Sequence, residues 1–540
     1  MGTIKPMGMH ISAIRRFLQE HPAVKAERLT TSQTSRRFVK NETYAMNKPY
    51  ISIYEGEYDE NGKALIAPAT VFVSHAWRYE FVNTVVDVME QHSLTEPDAY
   101  YWFDLFTNNQ NNVGNKDFDW FSTTFRNSIR TIGQVLLVLS PWDDPLPVKR
   151  AWCLFEIASA LDESDVNFLI NLPKSEIKDM STAVVADSDC LIKALSDIQA
   201  EKAEATSKED KKLIFEVIDE SEGGFFHVNE QVKKALREWY VRELRELVNM
   251  NSEDHSLLLS VTEITRDFGF LNDALNDGLA CLKLAARNSL GDAYCRRVYH
   301  NLANIYSDTG ELDKAIEYYS KSLVMTLRTH GDEHPDVAAA YSNIGVIYDD
   351  QGNLTKALEY HQKSLEIELN ALGQDHPNVA TSYNNIASIY SKIGEYDKAL
   401  KFHNQSLAIQ QRSLGENHPD TASSYMTIAD VYSEKEDYDI AIEYYQISLK
   451  IIRVTLGQDH PFVSDCNNNM GNAYNQNNKP DKALECYGVS LEIMLELYGE
   501  DHPDVADLFD NMAVAYKKKG EIETAIAYQE RSIAIKANLA

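Results

Sequence analysis

Histidine and asparagine recur along this sequence at one fixed interval, and each type could do a different piece of chemistry. His334, His376, His418, His460 and His502 are each followed by proline, and each lies 42 residues beyond the last. Imidazoles are metal ligands, but bonds of about 2 Å to one ion require them to converge, and the links of a helical stack stand roughly 10 Å apart per helix. These histidines are therefore expected to cap loops, and no metal is assigned. Asn301, Asn343, Asn385, Asn469 and Asn511 keep the same interval, which Thr427 interrupts. An amide side chain carries both a donor and an acceptor, which suits it to hold the backbone of an extended peptide. It suits it equally to satisfy buried groups between adjacent helices, and both readings are open. The cysteines are scattered without a C-x-x-C pair, which argues against structural zinc and a disulfide framework. No G-x-x-x-x-G-K-[ST], H-E-x-x-H or G-x-S-x-G motif occurs, so nucleoside triphosphatase, zinc protease and serine hydrolase chemistry have no support.

The elements that must position the asparagines follow from punctuation. Gly331, Gly373, Gly415, Gly457 and Gly499 each precede a repeated histidine by three residues. Glycine past a helix end followed by proline at the next helix start is the expected link between helices. Each interval holds two helical stripes, for example Tyr341, Ile344, Ile347 and Tyr348, then Ala357, Leu358, Ser364 and Leu365. Gly310, Gly352, Gly394 and Gly520 mark the turn between them, with Glu436 and Asn478 at the equivalent places. Five residues later stands an invariant alanine: Ala315, Ala357, Ala399, Ala441, Ala483 and Ala525. A side chain that small lets paired helices approach closely.

These residues resemble the tetratricopeptide repeat, and the 42-residue period with its L-G-x-x-H-P link is similar to the variant in kinesin light chains. The resemblance implies an all-α superhelical solenoid over residues 253–540, with about seven units counting a degenerate first one marked by Gly269 and Ala274. Its first helices would line a concave groove that binds a protein or peptide. In kinesin light chains the matching asparagines clamp a cargo peptide, so the resemblance makes Asn301, Asn343, Asn385, Asn469 and Asn511 partner-binding residues. The tyrosines five positions on, Tyr306 to Tyr516, are expected to pack rather than to touch the partner.

The N-terminal half has a different texture. Residues 1–67 lack strong periodicity and read as an extension that orders on contact, with a short strand within Tyr44 to Tyr58. From Ala69 strands and helices alternate: Thr70–Ser74, then a helix over Phe81–Gln91, a strand over Tyr100–Asp104, a helix over Asp119–Thr131, a strand over Val135–Ser140, a helix over Lys149–Leu161 and a strand over Val166–Asn171. Strict alternation predicts a doubly wound parallel α/β sheet of flavodoxin-like layout over residues 68–175, with ligands beyond the carboxyl ends of its strands. Residues 176–252 carry helical stripes around Leu191, Ile214 and Trp239 and read as a connector to the solenoid.

V-F-V-S-H at Val71–His75, the run Ser128–Ser140 and W-C-L-F-E-I at Trp152–Ile157 resemble TIR domains, the signalling fold of Toll-type receptors. Several of these cleave NAD at the nicotinamide–ribose bond. The resemblance implies that Glu156 is a catalytic carboxylate supporting the cationic ribosyl transition state, much as acids act in glycoside cleavage. Trp152, which shares a helix face with it at i, i+4, would pack beside the nucleotide, with Ser74, His75 and Arg78 at the same sheet edge and Arg78 on phosphate. NAD is thus the implied substrate, and no cofactor is required. The sequence departs from the family in lacking an R-D-x-x-P-G box; Thr107–Asp117 is instead an asparagine-rich loop, and Pro141–Pro147 adds a proline-rich one. On a purely structural reading Glu156 is a helix carboxylate and Trp152 a core anchor.

The formal charge of -30 over 540 residues disfavours nucleic acid and anionic membranes as partners. With no long apolar run and scattered thiols, a cytoplasmic protein is expected. The reading is a signalling scaffold that binds a protein through its solenoid and signals through self-association of the TIR-like domain, with NAD cleavage implied. A non-enzymatic adaptor is the alternative. A kinesin-light-chain cargo adaptor would need an N-terminal heptad coiled coil, and no such pattern is found.

Overall fold

The computed structural model describes residues 6–108, 126–196, 198–205, 208–219, 224–500 and 502–539. The chain divides into two compact units, Met1–Phe270 and Leu271–Ala540.

The first unit is built on β1 (Met7–His10), β2 (Ile66–Pro68), β3 (Val71–Ser74), β4 (Tyr100–Trp102), β5 (Gln134–Val138) and β6 (Asn167–Asn171), in the order β2-β1-β4-β3-β5-β6. Side chains two apart on a strand share a face. Phe72, Trp102, Val135 and Leu137 enter one core, and Val71, Val73, Tyr101, Leu136 and Val138 the other. Both faces are covered, which is why these strands read as unbroken apolar runs. Phe72 stacks on Trp102 at 4.6 Å across the β3–β4 pair.

The expected purely parallel sheet is in fact mixed. β4, β3, β5 and β6 are parallel neighbours, but β1 lies antiparallel between β2 and β4. Residues 1–67 are therefore no appended extension over their described part. Helix α1 (Ile11–Glu20) and the turns after it bury Ile14, Phe17, Val39, Tyr50 and Tyr54 against the sheet, and Phe17 meets Tyr50 and Phe106 edge-on at 5.4 and 5.0 Å. β1 escapes a pattern search because its residues, MGMH, include neither a β-branched nor an aromatic side chain. Gly8 is there for space: a Cβ on it would come within 2.9 Å of the Tyr100 backbone. Tyr50–Tyr54 is a 3₁₀ turn rather than a strand.

The helix expected from Phe81 starts as a wide π-type turn, Phe81–Val86, and continues as α2 (Asp87–Thr95). Most of the helix expected over Asp119–Thr131 and of the asparagine-rich loop lies outside the described residues; 126–132 are helical. Helix α3 (Ala151–Leu161) follows β5, and α4 (Lys174–Ala186) follows β6. Residues 176–252 are not a detached connector. With α5 (Gly224–Met250) and α6 (His255–Asp267) they form the layer that covers one sheet face, burying Leu191, Ile214, Leu236, Trp239, Tyr240 and Val261 in the core shared with Phe72 and Val135. An apolar sheet face must be covered by something, and Tyr240 ties this layer down by donating its hydroxyl to the Trp142 carbonyl at 2.6 Å.

The second unit opens with α7 (Leu271–Asn288), and among the described residues six helix pairs follow. They are α8 (Asp292–Asp308) with α9 (Leu312–His330), α10 (Pro335–Asp350) with α11 (Leu354–Leu372), and α12 (Pro377–Ile393) with α13 (Tyr396–Ser413). Then come α14 (Pro419–Glu434) with α15 (Tyr438–Thr455), α16 (Pro461–Gln476) with α17 (Pro480–Tyr498), and α18 (Pro503–Lys519) with α19 (Ile522–Leu539). Each repeated histidine caps a first helix, its Nδ1 accepting the backbone N–H two residues on at 3.1–3.2 Å. Such a cap contributes about 1 kcal/mol, and proline at the first helical position adds pre-set backbone. The alanines at the helix–helix contact are buried in every pair. At the turn, Glu436 and Asn478 adopt φ of 66° and 56° where other repeats place glycine, a conformation costing a side-chain-bearing residue roughly 1–2 kcal/mol. Tyr306, Tyr348, Tyr390, Tyr432 and Tyr516 pack within their own pair, against Tyr318, Tyr360, Phe402, Tyr444 and Tyr528 at 5.3–5.6 Å.

Candidate functional site

In the sheet unit the candidate residues gather where the parallel strands end. Ser74 closes β3, His75 follows it, and Glu156 sits mid-way along α3. The Ser74 hydroxyl donates to Glu156 Oε2 at 2.5 Å. Glu156 is only 9% exposed, and burial pushes its carboxyl up to about 8, with the negative charge of nearby Asp104 adding and the Ser74 bond opposing. Asp104 is a participant that sequence reasoning passed over as the end of a strand. It starts a short helix after β4, accepts the Trp77 indole N–H at 2.7 Å, lies 4.0 Å from His75 Nδ1, and is pushed up to about 7 by burial. Its signal was position: an acid just past the aromatic strand Tyr100–Trp102, at the edge where ligands of such sheets sit. His75 is buried and held down to about 3, hence neutral.

Ser74, His75, Asp104 and Glu156 are thus brought together. Trp152 packs part-buried against the core, 6.1 Å from Phe155. Arg78 is exposed and lines a cavity of about 350 Å³ with Ala76, Lys149, Arg150 and Lys202, among others. Neither Glu156 nor Trp152 lines that cavity. The two carboxyls repel each other's charge, so each raises the other's hold on its proton, while the desolvated imidazole stays neutral.

In the second unit three members of the asparagine row, Asn385, Asn469 and Asn511, bridge successive first helices. Asn385 Nδ2 donates to Ser342 Oγ at 3.4 Å, and Asn511 Nδ2 to Asn468 Oδ1 at 3.0 Å. Asn469 turns instead to Asp430 Oδ1 at 3.4 Å, because the position matching Ser342 and Asn468 is Met426, which offers no oxygen. Thr427 makes no bridge; its hydroxyl donates to Ser423 O in its own helix. Asn301 is buried and Asn343 half-buried. Each bridging amide uses one of its two N–H donors on the neighbouring helix, which fixes its orientation and leaves a second N–H and Oδ1 beyond that bond.

The tetratricopeptide repeat family model matches residues 294–370, 346–412, 378–453, 420–496 and 467–538. The C-terminal half is a tetratricopeptide repeat array. No curated protein matches the chain. Among solved structures, BtubC (BKLC) from P. vanneervenii is 22% identical, with a TM-score of 0.38 over 42% of this chain and 92% of that one. A Podosopora anserina putative kinesin light chain with nearly identical TPR-like repeats is 24% identical, with a TM-score of 0.34 over 37% and 95%. A Rap protein complexed with competence and sporulation factor is 16% identical, with a TM-score of 0.37 over 67% and 98%. These likenesses concern fold alone.

A second polar row in the tetratricopeptide array escaped the sequence search because its residue types vary. Three positions after Asn301, Thr427 and Asn469, the side chains of Asn304, Asp430 and Asn472 accept hydroxyls from Tyr319, Tyr445 and Tyr487 on the paired second helix, the last at 2.7 Å. Asp430 takes both the Tyr445 hydroxyl and the Asn469 amide, while burial pushes it up to about 6. Acids stand at i, i+4 spacing on these helices: Glu434 beside Asp430 and Asp465 beside Asn469, while Asp507, four before Asn511, is already paired with Lys536 at 2.8 Å. His330, His334 and Asp336 bring three ligand-type atoms within 4.8 Å. They do not converge as a metal centre, since the two rings stack at 27° and His334 Nδ1 already serves the helix cap. Among the described residues no helix is long and apolar enough to cross a membrane.

The buried carboxyls carry a pH prediction. Asp104 and Glu156 titrate higher folded than their ordinary values of 3.8 and 4.5, so the folded state holds their protons more tightly. The stability this contributes is present below those ordinary values and is lost as pH rises through about 7 and 8. Glu156→Gln, which cannot ionise, removes part of that loss. In calorimetry the variant's sheet unit should melt several degrees above the parent at about pH 9 and together with it near pH 4; coincident melting at both pH values would contradict the burial of an ionisable Glu156.

Proposed function

We propose that the tetratricopeptide array holds an extended, cationic segment of a partner protein along the asparagine row. The observation that carries this is the bridging geometry: Asn385, Asn469 and Asn511 are anchored to the neighbouring helix, and amides held in place, each able to donate and to accept, match the C=O and N–H groups of an extended backbone. The acids at neighbouring positions, Glu434 and Asp465, favour lysine and arginine on the partner. A peptide selected from a displayed library should bind with an affinity that falls as salt rises. Asn343→Ala/Asn385→Ala should weaken it about tenfold, the worth of one to two hydrogen bonds, measured by fluorescence anisotropy. Unchanged affinity would make the row structural.

The sheet unit, in this reading, is a TIR-like domain that signals by self-association in the cytoplasm, with NAD as substrate. The juxtaposition of Ser74, Asp104 and Glu156 supports it. Water replaces nicotinamide at the ribosyl carbon: the C–N bond breaks with its electron pair leaving on nicotinamide, and Glu156, in the ionised form it gains as pH rises toward 8, stabilises the oxocarbenium ion and takes the proton that water loses as the C–O bond forms. Arg78, lining the cavity, would take the diphosphate, and Trp152 would flank the base. A specific observation favours the non-enzymatic adaptor as a second reading: Glu156 is buried and does not line the cavity that Arg78 lines. Nicotinamide release from NAD by concentrated protein decides between them. Hydrolysis abolished by Glu156→Gln supports the enzyme; no release from the parent protein supports the adaptor.

A further inference from the structure

The outward face of α15 breaks the surface chemistry of the array. Ile440, Ile447 and Val454, seven residues apart and so on one side of the helix, are 40%, 43% and 79% exposed. The positions matching Ile440 in other pairs are Lys314, Lys356, Lys398, Lys482 and Thr524. Those matching Val454 are Arg328, Asn370, Arg412, Glu496 and Asn538. Lys321 and Lys363 match Ile447, and only this pair is aliphatic at all three places.

The substitution also releases a charge. In the earlier pairs Lys321 binds Glu317 at 2.6 Å and Lys363 binds Glu359 at 2.7 Å. Glu443 is the equivalent of those glutamates, but Ile447 stands where its lysine would be. Among the described residues Glu443 has no ion pair, and neither has Lys450 one turn beyond Ile447.

We propose that this face of α15 is a self-association surface, taking the same face of a second copy in antiparallel, two-fold fashion. With the axis at Ile447, Ile440 meets Val454 of the second copy and Ile447 meets itself. Glu443 then lies beside Lys450 of the second copy, and the same contact recurs across the axis. A parallel alignment would instead set Glu443 against Glu443 and Lys450 against Lys450, so charge selects the antiparallel pairing. The stripe belongs to a second helix, while the asparagine row lies on first helices, so pairing leaves the row free in both copies.

Sedimentation velocity of the full chain over a concentration series tests this. The expected result is a monomer–dimer equilibrium that Ile447→Lys, the residue found in other pairs, shifts at least tenfold toward monomer. Glu443→Lys should weaken the dimer, and Glu443→Lys with Lys450→Glu should restore it, which separates a pairing role from misfolding. A monomer at every concentration, or a dimer indifferent to Ile447→Lys, would overturn the proposal.

Discussion

A helix pair with one apolar side cannot stand alone in water, and everything in the C-terminal unit follows from that. The two helices of a pair meet across an alanine, and most of the remaining apolar surface of each pair is buried by its neighbours along the chain, the outward stripe of α15 excepted. Because the interval never departs from 42 residues, each pair presents the same face to the next, and side chains at one repeat position fall into rows. The asparagine row exists for that reason. Its amides bridge first helices that the stacking has already brought together, and where Met426 removes an acceptor the bond moves to Asp430 rather than disappearing.

The sheet unit obeys a different constraint. Its parallel strands are apolar on both faces, so polar chemistry is confined to the ends of the strands. Ser74, His75, Asp104 and Glu156 accumulate there, and the same lack of water that protects the fold holds both carboxyls toward their protonated forms. Keeping two acids in such a place lowers stability at neutral pH, a cost that structural need alone does not explain.

Much of this was legible in the residues, and the failures have physical reasons. Repetition made the array readable: Gly331, His334 and Pro335 announce a helix link once, and four more copies remove the ambiguity. The strands β3 and β5 were readable from their β-branched and aliphatic runs. β1 was not, since a short strand carrying Gly8 for backbone clearance has no side-chain pattern to detect. The helices around Leu191 and Trp239 were found, but their place on the sheet was not, because a stripe shows that a helix is covered without showing what covers it. Glu156 and Ser74 were expected at one sheet edge, whereas Asp104 emerged only when β4 was seen lying beside β3.

The neighbour-only burial of helix pairs is most directly tested by removing residues 377–418, one whole interval, so that His376 is followed by Pro419. Circular dichroism and thermal melting of the full chain should then show unchanged helicity per residue and a cooperative melt. Removal of residues 377–395, a single helix with its turn, should leave an apolar face uncovered and destroy that melt. Equal damage from both deletions would contradict a stack and indicate a core that all the helices share.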